Sequence, residues 1–239
     1  MKTETTETKS NVPEVIGNKA LAIHAQSEFQ GSSANLELPR FLVINSNIQD
    51  EAIRDAKFDV GTIIDTATLE PLATLGEPIR IVPLATSSSW LIYEVRGSKK
   101  EFKGVEPFTG EKLEYETPID KNTVLRRVLG IRLLFLIQSD IEKGNAVPYS
   151  FTFKNSSSGA GKKLNTIMYV RNKLAGRAPW AALVDLFSVI KTKEGNTFAT
   201  MDLKQVSERA ANEKEIQAAE FWYSKFVAGA VTTSEGHDE

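Results

Sequence analysis

Between Leu38 and about Val189 the apolar residues fall in short runs that alternate with polar ones at period two, and turn residues separate the runs. That pattern argues for a β-rich domain in which each strand turns one face to a core. The candidate strands are Phe41–Asn45, Val60–Thr66, Ile79–Leu84, Trp90–Arg96, Leu129–Gln138, Tyr149–Lys154, Leu183–Lys191 and Thr197–Met201. Leu129–Gln138 is broken mainly by Gly130 and Arg132, so it is expected in the middle of the sheet with both faces covered. Lys193-Glu194-Gly195-Asn196 reads as the hairpin turn between the last two strands, because Gly195 and Asn196 tolerate positive φ. The polar stretch Gly104–Thr123, with Pro107, Gly110 and Pro118, reads as a long protruding loop or hairpin.

Two helices are expected beside the strands. The first opens after Asn155-Ser156-Ser157-Ser158 and closes at Gly176 ahead of Pro179. Its positions Ala160, Leu164, Ile167, Met168, Leu174 and Ala175 make an apolar face, and Lys162, Thr166, Tyr169 and Lys173 a basic one. The second runs from about Leu203 to Ala228, with Asp202 as N-cap and Gln205 as its capping-box partner. Its end, Phe221, Trp222, Tyr223 and Phe226, is suited to packing on the domain or on a second subunit. The fold class is therefore β-rich α+β with a basic helix and a long C-terminal helix at 203–228. It forms one domain over 36–230, between a flexible arm at 1–18 and an acidic tail at 232–239.

Charge is segregated along the chain. No aspartate or glutamate occurs from Lys143 to Val184, while Lys143, Lys154, Lys162, Lys163, Arg171, Lys173 and Arg177 lie within it. Outside that stretch 22 basic residues face 31 acidic ones, a formal balance of −9. Tyr149, Phe151, Phe153, Tyr169 and Trp180 are interleaved with the cations. Cations for phosphates and flat faces for unstacked bases are what a single nucleic-acid strand requires. Strict alternation puts Tyr149, Phe151 and Phe153 on one face of a strand, which suits a core as well as a stacking platform. Trp90 is a further stacking candidate, and Arg96, Lys99, Lys100, Phe102 and Lys103 form a second basic and aromatic cluster at an expected turn.

The composition removes much chemistry. There is no cysteine and only two histidines, His24 and His237, which removes disulfides, thiol nucleophiles, CxxC zinc sites, histidine-centred triads and most transition-metal sites. No cofactor or metal is expected, and the chain is read as non-enzymatic. A Mg²⁺-dependent nuclease remains compatible: Glu101-Phe102-Lys103 matches half of such a site, with Asp65 as the upstream carboxylate. Ser156-Ser-Ser-Gly-Ala-Gly-Lys-Lys resembles a phosphate-binding loop but places Ser156 where the first glycine belongs and Lys163 where Ser or Thr belongs. What survives is a Ser/Gly turn feeding a helix, with Lys162 and Lys163 expected in its first turn. No uninterrupted apolar run approaches the ~20 residues of a bilayer span, and Met1 to Ile16 lacks the apolar centre of a signal peptide, so a cytoplasmic location is expected.

The order Leu38-Pro-Arg-Phe-Leu-Val-Ile-Asn, Asp59-Val-Gly-Thr-Ile-Ile-Asp, Ile79-Arg-Ile-Val-Pro-Leu, Val147-Pro-Tyr-Ser-Phe-Thr-Phe-Lys-Asn-Ser and Gly161-Lys-Lys-Leu-Asn-Thr resembles a tailed-bacteriophage family of single-stranded DNA-binding or replication accessory proteins. The resemblance spans about Leu38 to Leu203. It implies an OB-like β-barrel core, a role in phage DNA replication or recombination, and as partners single-stranded DNA and phage replication or recombination proteins. Such proteins often end in an acidic tail closed by an aromatic residue; here Glu235, Asp238 and Glu239 supply the acid, but no aromatic follows Phe226. Lys154, Lys162, Lys163, Arg171, Lys173 and Arg177 would track phosphates, and Trp90 with some of Tyr149, Phe151, Phe153 and Tyr169 would stack bases. The alternative from another class is a phage structural or assembly protein that uses the basic face on a partner.

Overall fold

A computed structural model describes residues 38–227 apart from 47, 49, 112, 174, 175 and 194. The expected arm at 1–18 and tail at 232–239 lie outside the described residues. Three short strands, β1 (Phe41–Val43), β2 (Ile63–Asp65) and β3 (Pro71–Ala73), form one antiparallel sheet. Seven others form a second: β4 (Ile79–Arg96), β5 (Lys99–Pro107), β6 (Glu116–Pro118), β7 (Thr123–Ile137), β8 (Pro148–Phe153), β9 (Val184–Lys193) and β10 (Asn196–Gln205). The helices are α1 (Glu51–Asp55), α2 (Gln138–Lys143), α3 (Ser158–Asn165) and α4 (Glu213–Val227).

β4 and β7 pair along most of their length and divide the large sheet into two halves. In the lower half β9 joins Ile79–Ile81 of β4 and β8 joins Ile131–Leu136 of β7. In the upper half β5 joins Ser89–Arg96 and β6 joins Val124–Arg126, making a four-stranded arm with its own small cluster of Leu91, Tyr93 and Val128. Ile79–Leu84 and Trp90–Arg96 are thus one strand. The Thr/Ser residues between them resemble a turn in composition, yet they pair with Gly130–Leu133 of β7. A bulge between Pro83 and Ala85 adds one residue and exchanges the faces. Ile79 and Ile81 point into the main core before it; Thr86, Ser88 and Trp90 take that side after it. Of the stretch expected as a long protruding loop or hairpin at Gly104–Thr123, Gly104–Pro107, Glu116–Pro118 and Thr123 are strand, as part of the arm.

The main core lies between the small sheet, the lower half and α3, where Phe41, Ile63, Ile81, Leu133, Phe135, Phe153, Leu164 and Leu186 are almost wholly buried. A second cluster on the opposite face joins Val82, Leu84, Leu136 and Leu183 to Trp180, Ala219, Trp222 and Phe226. β7 is accordingly covered on both sides, as its sequence implied. The sheets are β-rich and antiparallel, but they do not close into the expected barrel. Among the described residues, β8 meets the segment leading into β1 through the isolated parallel bridge Arg40–Ser150 and the bond from Ser150 N–H to the Pro39 carbonyl at 3.0 Å. At the other margin the Asn45 side chain donates to the Ala199 carbonyl (3.1 Å) and accepts from its N–H (2.7 Å), a side-chain amide standing where a ladder would be.

The hairpin turn between β9 and β10 is found, with Gly195 at φ +81°. The long C-terminal helix is a correction. Leu203–Gln205 continue β10, whose alternating Ala199, Met201 and Leu203 are buried, and the helix starts only at Glu213. Its cap is Asn212, not Asp202. Asn212 N–H donates to Glu215 Oε2 at 2.7 Å and Glu215 N–H to Asn212 Oδ1 at 3.0 Å, while Arg209 grips both Glu215 oxygens at 2.6 and 2.8 Å. Burial acts to raise the Glu215 carboxyl, but Arg209 and the Asn212 N–H outweigh it and hold its pKa below the ordinary value. A depressed folded-state pKa contributes stability above the unfolded value and loses it as pH falls through the folded one. Glu215→Ala should therefore cost about 2 kcal/mol at neutral pH. Urea unfolding at several pH values checks this, since the deficit should shrink below about pH 4.

Candidate nucleic-acid interface

The acid-free stretch folds into β8, a 3₁₀ turn at Asn155–Ser157, α3 and a π-helical segment at Thr166–Asn172 that continues it. The buried Ser157 hydroxyl ties the turn, accepting from Lys154 N–H and donating to the Lys154 carbonyl, both at 2.9 Å. α3 starts at Ser158, so Lys162 and Lys163 stand in its last turn rather than the first. The helix-start dipole therefore does not act on them. The glycine of Gly161-Lys162 has a packing reason instead: a Cβ there would meet Phe153 Cβ at 2.7 Å and Ile131 Cδ1 at 3.1 Å. Gly161 lets α3 lie directly on β8 and β7.

Ala160, Leu164, Ile167 and Met168 face the core, and Lys162, Lys163, Thr166, Tyr169, Val170 and Lys173 face outward. The wider π turn keeps two consecutive residues inside and the next two outside. Lys163 Nζ donates to the Leu203 carbonyl at 2.6 Å, which pins that cation over β10. Lys173 Nζ lies 5.6 Å from the Tyr169 ring centre, and Arg177 is exposed just past Gly176. Lys191 of β9, distant in sequence, brings a further cation to the Ser156 carbonyl at 3.3 Å. Lys154 is half-buried and engaged in the structure. Arg171 belongs to the π segment, and its side chain lies outside the described residues.

The aromatics divide sharply. Tyr149 and Phe153 are core residues at 8% and 0% exposure and offer no open stacking face, while Phe151 is half-buried and packs edge-on to Phe153. Burial, then the nearby carboxylates led by Asp65, push the Tyr149 hydroxyl up to about 12. Trp180 is buried as well. Tyr169, at 53% exposure, is the aromatic of the stretch that faces solvent. Trp90 is half-buried against Phe108, with ring centres 5.7 Å apart. It shares with Thr86 the side of β4 that faces the π segment.

The second basic cluster lies at the end of the arm, ~33 Å along β4 from Thr86 at the rise of an extended strand. Lys103 bonds Glu101 at 2.7 Å and Glu94 at 3.4 Å; Lys100 sits 3.7 Å above the Tyr93 ring; Arg96 donates to Thr123 Oγ1 at 3.1 Å. Two carboxylates answer the charge of Lys103, whereas Arg96, Lys99 and Lys100 are exposed. The carboxylates singled out for a metal are not brought together. Asp65 is buried in the small sheet and accepts from Ala67 N–H at 2.7 Å, whereas Glu101 is on the arm. Among the described residues no three His, Cys, Asp or Glu side chains are gathered to hold a metal.

A family model of Pam3 phage gp34-like proteins matches residues 6–232, nearly the whole chain. The chain belongs to this family. It is a phage family, in agreement with the phage resemblance of the sequence, and its description states no activity. No curated protein and no solved structure gave a significant match. No helix among the described residues is long and apolar enough to cross a membrane. Sequence reasoning missed Lys191, Thr86 and Asn165 at this surface. Only the packing of β9 beside the 3₁₀ turn and of β4 beside the π segment could have revealed the first two; Asn165 gave a local signal, a polar residue between Leu164 and Thr166 close to the buried stripe.

Proposed function

We propose that this protein binds single-stranded DNA with little sequence preference in phage DNA replication or recombination, and that the outer face of α3 and the π segment is the contact surface. The observation that carries the reading is one outward face holding Lys162, Lys163, Tyr169 and Lys173 within a stretch free of carboxylates. Cations there would neutralise phosphates, and Tyr169 would stack a base. The two sheets and α3 would serve as an OB-like barrel does, as a rigid support for a groove. Trp90, about 13 Å further along β4 than Thr86, would extend the track toward the arm.

A second reading has its own support. The arm exposes Val105, Phe108, Tyr115 and Ile119, as a phage assembly protein that meets a neighbouring subunit would. One titration separates the two. If about five cations among Lys154, Lys162, Lys163, Lys173, Arg177 and their neighbours meet phosphate, log K for a fluorescent single strand should fall with log salt at a slope near −3.5. Binding should also favour single over double strands. A flat salt response, no strand preference and a defined oligomer by sedimentation would favour assembly instead.

A further inference from the structure

A recess of about 410 Å³ opens where the π segment passes β4, lined by Thr86, Asn165, Thr166, Tyr169 and Val170. Its size is in the range of small-molecule sites. Asn165 is one of its lining residues, and Asn165 Oδ1 is buried without a hydrogen-bond partner. A buried, unpaired acceptor is a standing cost to the folded protein, and it marks a position at which an incoming N–H would be well received. The helix changes from α to π at the next residue, Thr166, a break that often accompanies a functional site. Tyr169 supplies an exposed ring at the rim, and Lys162 and Lys173 flank it on the same outward face.

We infer that this recess receives one unpaired nucleobase carrying an exocyclic amine, which stacks on Tyr169 and donates to Asn165 Oδ1. The inference rests on the single-strand reading and adds a base preference to it. Cytosine and adenine present an N–H₂ that projects from the ring edge and reaches a recessed oxygen. Thymine offers its ring N–H only between two carbonyl oxygens, whose lone pairs would face Oδ1. Binding through phosphates alone would not distinguish these bases.

The test compares short oligonucleotides of deoxycytidine and of thymidine at one salt concentration, on the unaltered chain and on Asn165→Leu. The unaltered chain should prefer deoxycytidine about tenfold, the effect of one well-placed hydrogen bond. In Asn165→Leu that preference should vanish while the salt slope stays the same. The variant's melting temperature should hold or rise, because an unpaired buried acceptor has been removed. Equal affinity of the unaltered chain for both oligonucleotides, or a preference that persists in Asn165→Leu, would overturn the base pocket and leave single-strand binding intact. Failure to bind either oligonucleotide would overturn both.

Discussion

Replacing Lys162 and Lys173 together by glutamate is expected to weaken binding of a short single strand by roughly 100-fold at low salt, with a slope shallower by about 1.4. Both side chains are exposed on the outward face, and neither residue lies in the core, so the fold should be unaffected. The loss should shrink as salt rises, since screening removes the repulsion along with the attraction. Lys163 is left out of this substitution because its ammonium also holds the Leu203 carbonyl, and changing it would mix binding with stability. Glutamate at Lys99 and Lys121 on the arm serves as the control, and affinity there should change little. Equal losses from the two pairs would mean that net charge, not this face, governs binding.

Gly161→Leu is expected to destabilise the protein by about 3 kcal/mol or more, or to prevent its folding. The atom met by a new Cβ is Phe153 Cβ, which is fixed to the backbone of β8 and cannot swing away. α3 would have to lift off the main core, exposing Leu164, Ile167 and Met168. A Cβ added at Gly159, in the same helix, would meet nothing within 4 Å, so Gly159→Ala should hold or raise stability by about 0.5 kcal/mol through chain entropy. Chemical denaturation of the two variants reads the contrast directly. Comparable stability of both would mean that α3 is not seated against β8 as described.

Much of the sheet was legible because its signal is local. The alternation of Ala199, Met201 and Leu203 marked β10, and Leu133 to Ile137, apolar on both faces, marked the central strand. Where the reading failed, a tertiary contact overrode composition. Ala85–Ser89 resemble a loop, but pairing with β7 holds them extended. Asp202 and Gln205 resemble a capping box, yet the ladder with β9 runs through Gln205, and the Asn212–Glu215 box made with Arg209 takes over. Tyr149 and Phe153 fitted a stacking platform or a core equally well until α3 and β1 covered them.

The candidate site shows the same division. The acid-free stretch and the outward pairing of Lys162, Thr166, Tyr169 and Lys173 were present in the chain itself, because helical periodicity and charge need no distant partner to be read. Which cations remain open to a ligand was decided only by packing. Lys163 was drawn to Leu203, Lys103 to Glu101 and Glu94, and Lys191 was carried from another strand to the 3₁₀ turn ahead of α3. Likewise the chain specified strands enough to form a barrel, but closure depends on two margins meeting in register. At one margin an isolated bridge forms, and at the other the Asn45 amide takes the hydrogen bonds that a neighbouring strand would have made.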